Sequence, residues 1–300
     1  MKKFTIAAIM AVASVAASAQ VSLTGKYSVW GDSTKTGGTR TGTMVVDPTS
    51  NIAIGVKEDL GGGLSARAVV ETTIGTTNTV DGTNNTQLGD RQSTVGLASK
   101  YGSVDLGRNV HSQFLAITSN DAFNTLYGSV AGDVHNFRGL RFSNGVFAAT
   151  NFGPVNATWD RSNNGAGVGD VTSYSLGAKV GPVNAVVANY SDDTGNEKST
   201  VIGANAKLGN TSVFYSNSDN KSATAGETKK GNLVGVAQKF GAVTAKASYG
   251  KTNTDVKAYN VGLDYALSKR TEVGVAYRVV DLTGSANDIK QLGVGLTHRF

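Results

Sequence analysis

Three histidines are the first residues of this 300-residue chain to test for chemistry: His111, His135 and His298. An imidazole can act as general base, proton relay or metal ligand. Zinc sites bring their ligands together at close spacing; these three lie far apart, in a chain without cysteine. No Gly-x-Ser-x-Gly elbow is present for a serine nucleophile. Gly250-Lys251-Thr252 matches the end of a phosphate-binding loop, but Ala245 stands where its first glycine belongs, and the preceding run reads as strand. Gly165-Ala166-Gly167-Val168-Gly169-Asp170 lacks the flanking strand and helix of a dinucleotide site. Asp192-Asp193-Thr194-Gly195-Asn196-Glu197 reads as a hydrophilic loop ahead of a weak divalent-cation site. The sequence therefore offers no catalytic residue, no metal site and no cofactor. His111 and His135 read as satisfied loop residues, with pH tuning as the alternative.

The elements that hold these residues are strands. In the last ten residues, Leu292, Val294, Leu296, His298 and Phe300 share one parity, and Gln291, Gly293, Gly295, Thr297 and Arg299 share the other. Successive side chains of a strand point to opposite faces, so this is a strand with one apolar face and one polar or tiny face. A chain end in water frays unless something holds it. A closed barrel in lipid, with Phe300 at the membrane interface, would hold it and would place His298 there too.

The same pattern recurs along the chain. Runs of about ten residues, as expected of tilted strands crossing a bilayer, alternate in polarity. They read approximately as 21–30, 50–58, 64–74, 91–99, 103–109, 139–150, 155–161, 172–180, 183–191, 200–208, 211–218, 231–240, 242–251, 258–267, 271–280 and 289–300. Short turns such as Gly181-Pro182 and Gly209-Asn210 alternate with long polar loops such as Thr76–Asp90 and Asp219–Lys230. An even number of strands with one short-turn side and one long-loop side is the pattern of an outer-membrane barrel. A soluble sandwich also alternates its faces, but seldom keeps this turn asymmetry over sixteen strands. The fold class expected is all-β: a 16-stranded antiparallel transmembrane β-barrel.

Composition agrees. A mean hydropathy of −0.15 leaves no stretch for a membrane-spanning helix, yet suits a barrel in which only alternate residues meet lipid. Lys2 and Lys3, the apolar run Phe4–Val15 and the small residues Ala17-Ser18-Ala19 read as a signal peptide over residues 1–19, with the barrel domain over 20–300. Its removal lowers the net charge from +6 to +4. The scattered lysines and arginines form no nucleic-acid-binding face.

Four patches carry a resemblance to a known family: Val21-Ser22-Leu23-Thr24-Gly25-Lys26-Tyr27, Gly102-Ser103-Val104-Asp105-Leu106-Gly107-Arg108-Asn109, Arg141-Phe142-Ser143-Asn144 and Gly293 to Phe300. With them the chain resembles the general diffusion porins of the Gram-negative outer membrane, closest to the betaproteobacterial trimeric branch. The resemblance implies a homotrimer set among outer-membrane lipid and lipopolysaccharide, and recognition of Phe300 by the barrel-assembly machinery. It implies a passive channel for small hydrophilic solutes and ions, without enzymatic activity. It also implies a loop folded into the lumen, here about Val110 to Arg138. That loop holds Phe114-Leu115-Ala116-Ile117, Phe123 and Leu126-Tyr127, an apolar content that makes sense packed against the inner wall. In the family a basic ladder on the wall faces acids on this loop. By position Lys26, Arg108 and Arg141 match the ladder; Ala53 stands at a further basic position, and Arg67 is the substitute. The family's Pro-Glu-Phe-Gly type motif is replaced by Asn120-Asp121-Ala122-Phe123-Asn124, leaving Asp121 and Asp133 as the acids. Opposed charges across a narrow watery gap would sort ions by sign. A substrate-specific channel and a secreted β-rich binding or adhesion protein are the alternatives.

Overall fold

A computed structural model describes residues 19–75, 87–135, 137, 140–163, 170–193, 197–222, 228–282 and 288–300. The first eighteen residues of the expected signal peptide, the Gly165–Gly169 run and most of Thr76–Asp90 lie outside them.

Strand segments follow one another as β1 (Gln20–Thr36), β2 (Thr39–Val46), β3 (Asn51–Gly61), β4 (Leu64–Thr73), β5 (Gln92–Ser99), β6 (Gly102–Val110), β7 (Arg141–Phe152), β8 (Val155–Ser162) and β9 (Val171–Val180). Then come β10 (Val183–Asp192), β11 (Glu197–Leu208), β12 (Thr211–Ser222), β13 (Thr228–Phe240), β14 (Val243–Thr252), β15 (Val256–Ala266), β16 (Thr271–Leu282) and β17 (Ile289–Arg299). Each pairs antiparallel with its chain neighbour, except that the upper part of β1 pairs with β2 and its lower part with β3. β2 and β3 are thus two halves of one wall strand, and the barrel has sixteen strands.

The break between those halves has a local cause. Pro48 has no N–H to give to the ladder. Between Val46, opposite Val29, and Asn51, opposite Lys26, four residues face two. The extra chain is closed by its own bonds: Thr49 N donates to Asp47 Oδ1 at 2.7 Å, and Ser50 N to the Asp47 carbonyl at 2.8 Å. The upper hairpin, Gly31 to Met44, reads from sequence as a loop. It is rich in Thr and Gly and lacks an apolar face, because no lipid meets it.

β1 pairs with β17 from Lys26↔Arg299 to Thr36↔Ile289, so the sheet closes on itself. Phe300 completes the seam: its N–H donates to the Gly25 carbonyl and its carbonyl accepts from Gly25 N, both at 3.0 Å. Closure pairs every edge, the condition for a sheet in lipid. The expected parity holds in the closing strands: Leu292, Val294 and Leu296 are about half exposed on the outside, while Gly293, Gly295 and Thr297 are buried on the inside. The tight turns at Gly153, Gly181, Gly209 and Gly241 each use a glycine at φ near +60°.

Between β6 and β7 the chain folds inward through α1 (Ser112–Ser119) and α2 (Ala131–His135). Its apolar residues make the main buried cluster: Ala116, Ile117, Val130, Ala131 and Val134 pack on Ala188, Val201, Leu233, Ala258 and Val280 of the wall. This barrel's hydrophobic core lies under the loop.

The seam makes a prediction. A Cβ on Gly25 would meet the Phe300 ring at 2.5 Å. Gly25→Val is expected to displace the terminal aromatic and reduce closure, seen as loss of heat-modifiable migration in a gel; Gly38→Ala, whose Cβ meets nothing within 4 Å, is expected to leave migration unchanged.

Candidate functional site: the narrowed lumen

The infolded loop is built from residues that need partners, and the wall supplies them. At its start His111 Nδ1 lies 2.6 Å from Asp160 Oδ2 on β8, and Ser112 N donates to Asp160 Oδ1 at 2.7 Å. Gln113 donates from its backbone to Ser173 Oγ (3.0 Å) and from Nε2 to Ser199 Oγ (2.7 Å). α1 thereby lies along β8 to β11. At the far end His135 is fully buried, with Nδ1 2.9 Å from Ser218 Oγ and Nε2 2.8 Å from Ser216 Oγ. Both loop histidines are therefore anchors. Burial, and secondarily the charge of Lys229, push the His135 imidazole down to about 4, so it is neutral at physiological pH.

The loop tip reaches the opposite wall. Tyr127 stacks on Trp30 of β1 at 4.1 Å between ring centroids, 10° from parallel. Its hydroxyl donates to Asp32, which also accepts from Gln291 Nε2 at 2.8 Å. Burial, followed by the Asp32 bond, raises the Tyr127 phenol well above its usual range, so it stays a donor. Tyr127 N donates to Asp47 Oδ2 at 3.0 Å, so the β2–β3 break aims Asp47 at the loop. Small inner-wall residues make room. A side chain at Gly295 would strike the Trp30 indole, at Gly293 the Tyr127 ring, and at Gly262 the Phe123 ring.

The residues expected to set the charge fall into distinct places. Asp121 is fully buried within the loop. Its carboxylate accepts from Phe123 N (3.2 Å), Thr125 N (2.8 Å) and Ser129 Oγ (2.7 Å). It staples the tip, where Asn124 and Thr125 both have φ above +50°. Asp133 is held by Arg278 of β16, which donates to both carboxylate oxygens at 2.6 Å. Lys26 pairs with Asp47 at 3.8 Å, and Arg67 makes a two-bond pair with Asp105.

Arg108 and Arg141 stand apart. Arg108 has the parity of the outward residues Val104 and Leu106, but a bulge between Gly107 and Asn109 re-aims it. It donates to the Asp90 carbonyl and to Ser143 Oγ, each at 2.6 Å. Neither Arg108 nor Arg141 makes an ion pair among the described residues, and Arg141 Nε is buried without a hydrogen-bond partner. Arg91 and Arg108 are charged neighbours of Arg141, with Glu71 and Asp90. Arg91, paired with Glu71 at 2.5 Å, was not singled out by sequence: it opens the expected strand 91–99, whose residues carry little alternation, and lies just ahead of β5. Arg278 and the Lys246–Asp264 pair (2.5 Å) do have inward parity. Across the lumen, a recess of about 490 Å³ under α1 is lined by neutral groups, among them Asn156, Thr158, Ser175, Asn184 and Asn205.

The arrangement can pass and sort solutes. Residues 5–285 match the sequence model of a family described as Gram-negative porin. The major outer membrane protein P.IB of Neisseria meningitidis serogroup B is 28% identical, with 100% of each chain covered. Among solved structures, the anion-selective porin from Comamonas acidovorans superposes with a TM-score of 0.80 at 20% identity, covering 94% of this chain and 100% of that one. Salmonella typhi OmpF in complex with daunomycin gives 0.73 at 17% identity, covering 93% and 97%.

His135 sets a pH prediction. Its pKa is lower in the docked loop than in water, so the undocked state takes up the proton first. Docking is favoured above about pH 6.5 and weakens progressively down to about 4, by on the order of 3 kcal/mol in full. Amide hydrogen exchange in α2 is expected to rise as pH falls through that window, after correction for intrinsic rates. In His135→Gln, which keeps hydrogen-bonding capacity without a titratable ring, the rise is expected to disappear.

Proposed function

From the premise that this chain belongs to the Gram-negative porin family, we propose that its channel favours anions. The chain is an outer-membrane diffusion channel, a closed barrel whose lumen is narrowed by its own loop. One observation carries the charge preference: among the described residues no carboxylate lies within ion-pair distance of Arg108 or Arg141, although Glu71 and Asp90 are charged neighbours of Arg141, and no acid of the loop opposes them. Asp121 is fully buried inside the loop, and Asp133 is occupied by Arg278. Two further acids sit deep behind cations: Asp105 is 5% exposed behind Arg67 at 36%, and Asp47 3% behind Lys26 at 13%. A charged solute in a narrow, low-dielectric passage meets an excess of guanidinium. The Comamonas porin of similar fold is described as anion-selective, which supports the same reading here.

The seam and the apolar outer face support further parts of this reading. The channel works as a homotrimer in outer-membrane lipid and lipopolysaccharide. Residues 1–19 are removed on export, and Phe300 is read by the assembly machinery. Catalysis forms no part of the proposal.

The test is a planar-bilayer measurement of zero-current potential across a KCl gradient. Anion bias is expected for the wild type. Arg108→Gln with Arg141→Gln is expected to lower the anion-to-cation permeability ratio by about threefold or more, given fields of several kT in such passages. A cation-biased wild type would refute the reading.

A further inference from the structure

Cations outnumber acids most clearly at one end of the barrel. Five exposed lysines stand where strands run down to the short turns: Lys57 of β3, Lys100 just after β5, Lys179 of β9, Lys207 of β11 and Lys239 of β13. Four belong to one repeated step: Lys100-Tyr101-Gly102, Lys179-Val180-Gly181, Lys207-Leu208-Gly209 and Lys239-Phe240-Gly241. In β9, β11 and β13 the period of two sends the lysine to the lumen side and the apolar residue to the lipid side, whereas Lys100, in the β5–β6 turn, lays its Nζ 4.9 Å from the centroid of the Tyr101 ring. Tyr101, Val180, Leu208 and Phe240 are accordingly 55–73% exposed on the bare barrel.

None of the five lysines makes an ion pair among the described residues. The β15–β16 turn adds Lys269 and Arg270, both exposed. Few acids answer them. Glu58 and Asp59 lie at this end, with Asp59 Oδ1 accepting from Gly61 N at 2.9 Å, and Glu272 is held by Arg299 at 2.7 Å. At the opposite rim the signs are mixed: exposed lysines such as Lys198, Lys221, Lys251 and Lys257 stand among Asp193, Asp255, Asp281 and Asp288, and Arg161–Asp170 and Lys230–Asp219 are close pairs. Short turns mark the periplasmic side of an outer-membrane barrel, so the basic ring surrounds the periplasmic mouth.

We infer that this ring is a second charge filter, in series with the arginine cluster, which concentrates anions at the periplasmic mouth and makes the channel electrically asymmetric. Lys57, Lys179, Lys207 and Lys239 have the inward parity of their strands and sit at the lumen edge, where they act on passing ions. Its reach is set by salt: the screening length is about 3 Å at 1 M and about 30 Å at 0.01 M. With dilute salt on the periplasmic side the ring acts across the mouth. With dilute salt outside, the ring is screened and the constriction alone decides. The inference extends the anion reading above, but the difference between the two orientations tests it separately.

The experiment uses the full channel inserted in one known orientation, with KCl at about 1 M on one side and about 0.01 M on the other, then reversed. The wild type is expected to show an anion-to-cation permeability ratio about twofold or more higher when the dilute side is periplasmic. In K57Q/K100Q/K179Q/K207Q/K239Q, which neutralises all five lysines and leaves Lys269 and Arg270, at least half of that difference is expected to be lost. Single substitutions, each removing a share, serve if the multiple variant inserts poorly. Equal ratios in both orientations of the wild type, or a difference undiminished by the substitutions, would overturn the inference. A cation-biased wild type whose orientation difference still falls in the variant would refute the anion reading and uphold the ring.

Discussion

The fit between the infolded loop and one side of the barrel wall is the interaction on which the rest depends. An apolar segment cannot remain in a water-filled lumen without cover. Cover comes from inward positions that a water channel would otherwise leave polar: Ala188, Val201, Leu233, Ala258 and Val280. The loop also needs space, and glycines supply it. The tiny inward face of β17, alternating with Leu292, Val294 and Leu296, is the imprint of Trp30 and Tyr127. The abundance of glycine, 38 residues, is thus partly a consequence of where the loop lies.

Burial alone would not fix the loop's position, because apolar contact is non-directional. Direction comes from polar anchors at both ends and the tip. Asp160 holds the start, Ser216 and Ser218 the end, and Asp32 and Asp47 the tip. These anchors are spread over several strands, so the loop can settle only once most of the wall is assembled. The β2–β3 break belongs to this logic. It interrupts a ladder, which costs hydrogen bonds, and in return places a carboxylate where the tip arrives.

Most of the fold was legible because lipid imposes a period. Wherever one face meets hydrocarbon and the other meets water or loop, side chains must alternate, and strands such as β15 to β17 announce themselves. Beyond the lipid both faces meet water and the period lapses. Hence Thr39–Val46 carries no readable strand pattern, nor do the upper reaches of β11 to β13. The charged lumen was legible in part for the same reason. Arg67, Arg278 and Asp264 have inward parity. Arg108 has the wrong parity and is rescued by a bulge that only the paired register reveals. Asp121 was legible as an acid at the tip, but its inward turn depends on the backbone N–H groups of Phe123 and Thr125, which no side-chain pattern encodes.

The same distinction between paired and unpaired groups explains how a lumen full of charge can have a net sign. Arg67–Asp105, Arg91–Glu71, Lys246–Asp264 and Arg278–Asp133 are close pairs whose fields largely cancel within a few ångströms. They line the passage with strong local dipoles and little net charge. On the proposed anion reading, what a diffusing ion senses at longer range is the remainder, Arg108 and Arg141. Buried acids do not alter this balance much: a carboxylate that accepts three bonds within its own loop, as Asp121 does, is turned away from the passage and neutralised in part by the donors around it. On the proposed reading, the charges left without a close opposite partner, rather than the total, set the sign of the lumen.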